Sequence, residues 1–150
     1  MDGFNIALIG VIFDTKTKKI LIGKRENDPY ISNLTWYFPG GKLDHNKGID
    51  NFLKEKIKLK TGCEVKNLGT IFIETSPEKK DLILVYFLCE VFKGKEKAGG
   101  DMIELKWVKP EDLEKHFTTS FHTRLKEYIM NLKWINQKPI LISADKVNSR

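Results

Sequence analysis

The chain has 150 residues, of which 41% are hydrophobic and 31% charged, and it carries a formal net charge of +6. This length and composition suit one globular domain spanning residues 1–150, and no apolar run is long enough for a bilayer-spanning helix, so we expect no membrane partner. The positive charge favours phosphate-bearing partners, nucleic acid among them, although lysines scattered through every segment are also typical of a solvated surface.

The first predicted elements are two strands. The runs "NIALIGVIFD" and "KILIGKR" are short, apolar and β-branched, and the turn-like "TKTK" between them predicts a hairpin. Because "MDGFNIALIGVIF" has an acidic start and no small-residue cleavage site, we interpret it as a buried strand rather than a signal peptide and expect a cytoplasmic protein. Further along, the aromatic residues of "WYFPGGK" lead into a Pro-Gly-Gly sequence that should end any strand.

A helix is predicted next, over residues 48–61, within "GIDNFLKEKIKLKTG". It should end at Gly62, because glycine is the residue that most often caps a helix C-terminus. With successive residues placed about 100° apart, one arc of the helix is apolar and should face the core. Its members, with Leu59 at the edge, are Ile49, Phe52, Leu53 and Ile57.

Two lysines share that apolar arc. Lys56 and Lys60 lie near its middle, one turn apart, whereas Lys54 and Lys58 lie on the opposite, solvent side. An inward charge is costly unless it is paired or hydrated. The ammonium groups of the two inward lysines therefore either extend past the helix end into water or reach a polar cavity.

The second half of the chain continues the mixture of strands and helices. Three strands and then two helices are predicted, in "EVKNLGTIFIET", "DLILVYFLCEVF", "IELKWV", "KPEDLEKHF" and "HTRLKEYIMNLKW". The tail from Asn136 receives no assignment. A β-rich order with inserted helices predicts an α+β or α/β sandwich.

The glycine-flanked helix and its surroundings resemble the Nudix hydrolases. The signature of that family is Gly, five residues, Glu, seven residues, Arg-Glu-aliphatic, one residue, Glu-Glu, one residue and Gly, and the spacing from Gly41 to Gly62 fits it without a gap. The stretch "LIGKRENDPYISNLTWYFPGGK" is similar to the branch that hydrolyses GDP-mannose. The resemblance covers roughly Asn5 to Leu132. It implies the MutT-like fold, an α/β/α sandwich around a central mixed β-sheet.

The residues at the signature positions conflict with the chemistry that this resemblance implies. In the family, the glutamates hold Mg²⁺ or Mn²⁺ against a diphosphate, and the arginine orients one of them. Here the arginine position carries Glu55, and the four glutamate positions carry Lys47, Lys56, Leu59 and Lys60. Hard cations need oxygen ligands, and an ammonium in the same place opposes their binding. We therefore interpret the signature as degenerate and expect no metal cofactor.

The same resemblance suggests how a diphosphate would bind without metal, through fixed lysine charges and the amides of the glycine turn. The predicted ligand-binding residues are Arg25, Gly40, Gly41, Lys42, Lys56 and Lys60. Arg25 matches a basic position that contacts phosphates in the GDP-mannose branch, although it is equally typical of an exposed strand end. Trp36 and Phe38 are the candidates for stacking a nucleotide base.

Histidines and cysteines give weaker signals. His45, His116 and His122 lack the spacing of metal ligands. His122 either acts as a general base on a late loop or opens a helix. Cys63 and Cys89 have no CxxC spacing, and we predict two reduced packing residues rather than a disulfide.

Carboxylates away from the glutamate positions of the signature leave a relocated metal site open as an alternative. The candidates are Asp44, Asp50, Glu55, Glu74, Asp101 and Glu104. On the helical wheel Asp50 and Glu55 point away from the apolar arc, so we expect them to pair with Lys54 and Lys58 at the surface.

We therefore expect a Nudix-fold protein that binds a small molecule, a nucleotide or nucleotide-sugar diphosphate, without metal-dependent hydrolysis. One alternative is an atypical nucleoside-diphosphate-sugar hydrolase with relocated carboxylates, which would use Mg²⁺ or Mn²⁺. The other is an RNA-binding or assembly platform. A homodimer is compatible with each of the three.

Overall fold

The computed structural model describes residues 3–25, 36–44, 46–117 and 121–134. These residues form a mixed β-sheet with helices on both faces. Its elements in chain order are β1 (Asn5–Asp14), β2 (Lys19–Lys24), β3 (Trp36–Tyr37), β4 (Gly40–Lys42), α1 (Ile49–Thr61), β5 (Cys63–Thr75), β6 (Leu82–Gly94), β7 (Glu104–Val108), α2 (Leu113–His116) and α3 (Thr123–Asn131). Single 3₁₀ turns precede α2 and follow α3. The unassigned tail from Asn136 lies outside the described residues.

The sheet combines one parallel pair with antiparallel pairs. The strand order is β3-β2-β1-β6-β5, with β4 added to β1 and β7 added to β2. The predicted hairpin is confirmed, because β1 and β2 pair antiparallel, whereas β1 and β6 run parallel. Within the described ranges no helix is long and apolar enough to cross a membrane. The expected mixed sheet with α and β elements is therefore confirmed.

Alternating side chains of β1 form two hydrophobic cores, because successive residues of a strand point to opposite faces of a sheet. Val11 and Phe13 pack in the core that contains Leu125 of α3. Leu8 and Ile12 pack in the other core, together with the apolar side chains of α1. The sheet thus lies between α1 on one face and α2 with α3 on the other.

The apolar arc of α1 is confirmed at three of its four positions. Gly62 ends the helix at φ 76°, and its N–H donates to the Lys58 carbonyl, as expected for a left-handed cap. Fully or almost fully buried are Phe52, Leu53 and Ile57. The prediction for Ile49 is wrong, since its side chain is 48% exposed. Ile49 is the first helical residue, and periodicity fixes only its direction around the axis, not how far the sheet extends beneath the helix end.

The Pro-Gly-Gly sequence ends one strand and begins another. β3 ends at Tyr37 as predicted, but Gly40 and Gly41 belong to β4, which pairs with β1. A Cβ atom on Gly40 would lie 2.1 Å from the Leu8 carbonyl oxygen. Glycine therefore allows the two backbones to approach closely, so the sequence that ends β3 also begins a strand that the local pattern did not predict.

Candidate functional site

The two inward lysines of α1 lie over the sheet near β3 and β4. The stem of Lys56 packs on Gly41, where an added Cβ would be 3.3 Å from the lysine Cγ and Cδ atoms. Its ammonium lies 5.5 Å from the centre of the Phe52 ring. The Lys60 side chain is only 12% exposed, and its ammonium lies 5.4 Å from the centre of the Tyr37 ring. Lys60 therefore reaches a polar environment inside the fold instead of extending past the helix end.

Lys60 belongs to a group of four side chains, which we call the Asp101 cluster: Arg25, Tyr37, Lys60 and Asp101. One carboxylate oxygen of Asp101 lies 3.4 Å from the Lys60 ammonium and accepts a 2.9 Å hydrogen bond from the Tyr37 hydroxyl. The other oxygen lies 3.2 Å from Nη1 of Arg25, which is 18% exposed. The guanidinium carbon of Arg25 also lies 5.7 Å from the centre of the Tyr37 ring.

The loop between β6 and β7 presents Asp101 from a fixed backbone. On one side, the N–H of Gly99 donates to the Lys60 carbonyl. On the other, Met102 is buried, and a Cβ on Gly23 would lie 2.1 Å from its sulfur, so glycine at this position of β2 makes room for the methionine. The N–H of Ile103 then donates to the Lys24 carbonyl. Asp101 therefore projects into the cluster from a loop anchored on both sides.

Burial and charge act on the pKa values of this cluster in opposite directions. Burial lowers the pKa of Lys60, the nearby charges of Arg25 and Lys56 lower it further, and Asp101 opposes these effects. Burial raises the pKa of Asp101, but the Tyr37 hydrogen bond and the charges of Lys60 and Arg25 outweigh burial and lower the pKa overall. Asp101 is therefore an ionised carboxylate at neutral pH, held among cationic groups.

The other three substituted signature positions lie at the surface, two of them in α1 and one in the loop before it. The ammonium of Lys47 lies 3.1 Å from a carboxylate oxygen of Glu55, so the residues at the first glutamate position and the arginine position form an exposed ion pair with each other. Leu59 is 55% exposed. Of the six predicted ligand-binding residues, the structure thus brings Lys60 and Arg25 together around one carboxylate.

The predicted outward ion pairs are confirmed in part. Lys54 pairs with Asp50 at 2.9 Å. The prediction that Glu55 pairs with Lys58 is wrong, because Glu55 pairs with Lys47, and Lys58 lies nearest Glu64, at 3.9 Å. Spacing on one helix indicates which side chains are neighbours, but it does not include partners from the preceding loop or from β5.

The donor atoms that the structure describes around α1 do not fit Mg²⁺ or Mn²⁺. Three of the four glutamate positions carry ammonium groups, and the fourth carries Leu59. Among the described residues, no group of three or more histidine, cysteine, aspartate or glutamate side chains is arranged to hold a metal ion. Asp101 is the relocated candidate that comes to this helix, and both of its oxygens contact cationic groups. Such a set of donors opposes a hard divalent cation.

The other candidate carboxylates are dispersed. Asp44 accepts from the backbone N–H of Asn46 in a turn, and Glu104 is exposed on β7. Glu74 accepts a 3.3 Å hydrogen bond from the Tyr86 hydroxyl on β6. Burial raises the pKa of Glu74. None of these contacts involves the Asp101 cluster.

The two base-stacking candidates have different environments. Phe38 is buried among aromatic rings, with ring centres 5.0 Å from Phe117 and 5.8 Å from Phe121, so a base would reach its ring only after those side chains moved. Trp36 is half-buried, meets His116 edge to face at 5.6 Å and lies under the Lys24 ammonium. The stacking role of both stays a prediction, with Trp36 the more accessible. Lys42 is exposed at the end of β4.

Histidine and cysteine residues have structural roles where they are described. The Nδ1 atom of His122 accepts from the Arg124 N–H and caps α3, in agreement with the helix-opening interpretation. His45 lies outside the described residues. Cys63 and Cys89 are buried and free, which confirms two reduced packing residues.

Tyr37 is the site residue that sequence reasoning missed. The sequence predicts Trp36 and Phe38 as the aromatic ligand contacts, yet the hydroxyl of Tyr37 is the group that reaches Asp101. The available signal was strand alternation, which directs Tyr37 to the face opposite its two neighbours.

Comparison with known proteins shows the family to which this mixed sheet and glycine-bounded helix belong. The chain belongs to the NUDIX domain family, whose model matches residues 3–129. Among individual proteins, it is 29% identical over 107 residues to the 8-oxo-dGTP diphosphatase of Buchnera aphidicola subsp. Schizaphis graminum (strain Sg), across 71% of this chain and 78% of that protein.

Solved structures share the fold at low sequence identity. A NUDIX hydrolase from Nitrosomonas europaea is 14% identical with a TM-score of 0.72, covering 87% of this chain and 73% of its own. MutT, in a structure described for Aliivibrio salmonicida and Vibrio cholerae, is 19% identical with a TM-score of 0.63, covering 84% and 96%. These likenesses establish the MutT-like Nudix fold.

Proposed function

We propose that this chain binds a nucleoside diphosphate or nucleotide-sugar diphosphate through fixed positive charges, without a metal ion and without hydrolysing it. The observation that carries the proposal is the convergence of Arg25 and Lys60, both largely buried, on a single anion, the carboxylate of Asp101. A place in the fold that holds one carboxylate between two cations offers the same charges and donors to a phosphate. Lys56, whose charge acts on Lys60, adds a third cation.

The position of this charge supports a phosphate ligand rather than a merely basic surface. Lys56 and Lys60 stand at two signature positions where, by the resemblance, relatives use glutamates to hold metal against a diphosphate. Fixed ammonium groups in that place neutralise the phosphate charge directly. A relative of this chain is named for 8-oxo-dGTP, a nucleotide with phosphoanhydride bonds. No residue of this set supplies the Lewis acid or activated water that cleavage of a phosphoanhydride requires.

The experiment is calorimetric titration of the chain with ADP, ADP-ribose and GDP-mannose, each in EDTA and again with Mg²⁺. We expect binding of at least one compound in EDTA. Each lost charge-assisted contact costs about 1.5–3 kcal/mol when desolvated, or about 10–150-fold in Kd, and less when exposed. Lys60→Met should therefore raise Kd by about tenfold or more. Lys56→Met should raise Kd by a smaller factor, because Lys56 is only half-buried.

The same helix provides a matched control. The double variant Lys54→Met/Lys58→Met removes two positive charges from the exposed face of α1, as Lys56→Met/Lys60→Met does from the inner face, and it should change affinity less than about threefold. Equal losses for the inner and outer pairs would reduce the effect to net charge and contradict the proposal. Absence of binding by all three compounds in EDTA would also contradict it.

The alternative, a hydrolase with relocated carboxylates, is favoured by one observation: Asp101 is brought to α1. It predicts Mg²⁺-dependent turnover of the same compounds, and Asp101→Asn would abolish it. Release of a nucleoside monophosphate only when Mg²⁺ is present would replace the binding proposal with this one.

A further inference from the structure

The geometry points to Asp101 as a built-in competitor that occupies the phosphate position of the Asp101 cluster, so that an anionic ligand binds by displacing its carboxylate. This inference rests on the proposed function and identifies the residue that limits the affinity of the site. Each oxygen of Asp101 takes a cation that a phosphate oxygen would otherwise use, Lys60 for one oxygen and Arg25 for the other. The Tyr37 hydroxyl donates to the carboxylate and holds it over these cations.

The environment of Asp101 distinguishes a displaceable carboxylate from a permanent core ion pair. Its side chain is 36% exposed, three times the value for Lys60 and twice that for Arg25, so the anion lies on the water side of the two cations. A path therefore exists along which the carboxylate can rotate into water while the cations stay in place. A negative ligand approaching from the same side would meet the carboxylate first.

The backbone around Asp101 indicates that only the side chain has to move. Gly99 is hydrogen-bonded to the Lys60 carbonyl, Met102 is buried against Gly23, and the Ile103 N–H donates to the Lys24 carbonyl. Displacement thus requires a change of rotamer rather than a rearrangement of the loop. A side-chain rotation exchanges one set of charge-assisted hydrogen bonds for an equivalent set to the ligand, and the anchored loop returns the carboxylate when the ligand leaves.

A purely structural role for Asp101 makes the opposite prediction. If Asp101 only positions Arg25 and Lys60, its removal lets the two cations separate, and anion affinity falls. If it competes with the ligand, its removal takes away the anion that competes for the same cations, and affinity rises. The direction of the change therefore separates the two roles.

The test measures binding of inorganic pyrophosphate in EDTA to native protein and to Asp101→Asn, which keeps the shape of the side chain and an acceptor for the Tyr37 hydroxyl but removes the charge. We expect Asp101→Asn to bind about tenfold more tightly. The control is Asp112→Asn, which makes the same charge change at a carboxylate 3.0 Å from Lys115, and it should alter affinity less than about twofold.

A second variant keeps the inference testable if Asp101→Asn does not fold. Tyr37→Phe keeps the ring beside both cations but removes the hydroxyl that holds Asp101, so it should also tighten binding, by about two- to fivefold. Urea unfolding midpoints confirm that each variant is folded. If either variant is unstable, the other still decides the direction of the change.

The outcomes separate this inference from the proposed function. If native protein binds pyrophosphate and both Asp101→Asn and Tyr37→Phe bind it no more tightly, the competitor role is wrong and the proposed function stands. If only Asp101→Asn binds, the competitor role holds, and native protein does not have the proposed function toward free diphosphates. If neither native protein nor Asp101→Asn binds pyrophosphate, the inference is overturned, and the titrations with ADP, ADP-ribose and GDP-mannose decide the proposed function separately.

Discussion

Two adjacent glycines of β4 provide the sharpest test of how the candidate site is built. In Gly40→Ala the new Cβ would lie 2.1 Å from the Leu8 carbonyl oxygen, a backbone atom that cannot rotate away. Because real contacts of this kind exceed 3.0 Å, β4 and β1 must separate by roughly 1 Å in a close-packed interior. Overpacking together with a weakened ladder hydrogen bond should cost about 2–4 kcal/mol of unfolding free energy.

Gly41→Ala is the matched comparison, with the same chemical change one residue later in the same strand. Its Cβ would meet the Lys56 stem at 3.3 Å, and a flexible side chain can shift by a few tenths of an ångström. The alanine also reduces the entropy of the unfolded chain, worth about 0.4–1 kcal/mol. We therefore expect a change in unfolding free energy of less than about 1 kcal/mol, together with weaker ligand binding because Lys56 is displaced.

Urea unfolding followed by circular dichroism measures both free energies, and thermal melts should show a drop of roughly 5–15 °C for Gly40→Ala alone. Equal stability of the two variants would show that β4 does not approach β1 as closely as described. A Gly41→Ala variant with large destabilisation would place Lys56 in a rigid environment and contradict the account of its packing.

Three further predictions concern packing and ionisation. In urea unfolding, Ile57→Ala should lower the unfolding free energy by about 2–4 kcal/mol, because Ile57 is buried, whereas Ile49→Ala, at an exposed position, should lower it by less than about 1 kcal/mol. Equal losses would contradict the orientation of α1. The pKa of Asp101 is lowered in the folded protein, so its ionised carboxylate stabilises the fold above the ordinary pKa of 3.8, and this contribution is lost as pH falls through the pKa of the folded state. The difference in unfolding free energy between native protein and Asp101→Asn should therefore shrink from about pH 5 to about pH 3. A difference that stays constant over this range would refute the prediction. Burial raises the pKa of Cys89 to about 12 and also raises the pKa of Cys63. A thiol reagent should therefore modify neither cysteine in native protein and both cysteines in urea. Rapid labelling without denaturant would contradict this, because it would show that the thiols are accessible.

The sequence by itself determined most of the elements and the inner face of α1, because these depend on local periodicity. The 3.6-residue period of α1 placed Phe52, Leu53 and Ile57 inward. Gly62 marked the helix end, since only a residue without a side chain readily adopts its left-handed conformation. The same period placed Lys56 and Lys60 on the inner arc, so the presence of charge beneath the helix was also predictable.

Only the tertiary structure decided what those lysines meet. Asp101 is 41 positions from Lys60 along the chain, and its side chain reaches the cluster because the loop after β6 is anchored at β2 and at the last turn of α1. The exposure of Ile49 likewise depends on where the sheet ends beneath the helix. Local periodicity sets the direction of a side chain around its own element. The distance between side chains of different elements follows from the packing of those elements and from the path of the loops, which no local pattern encodes.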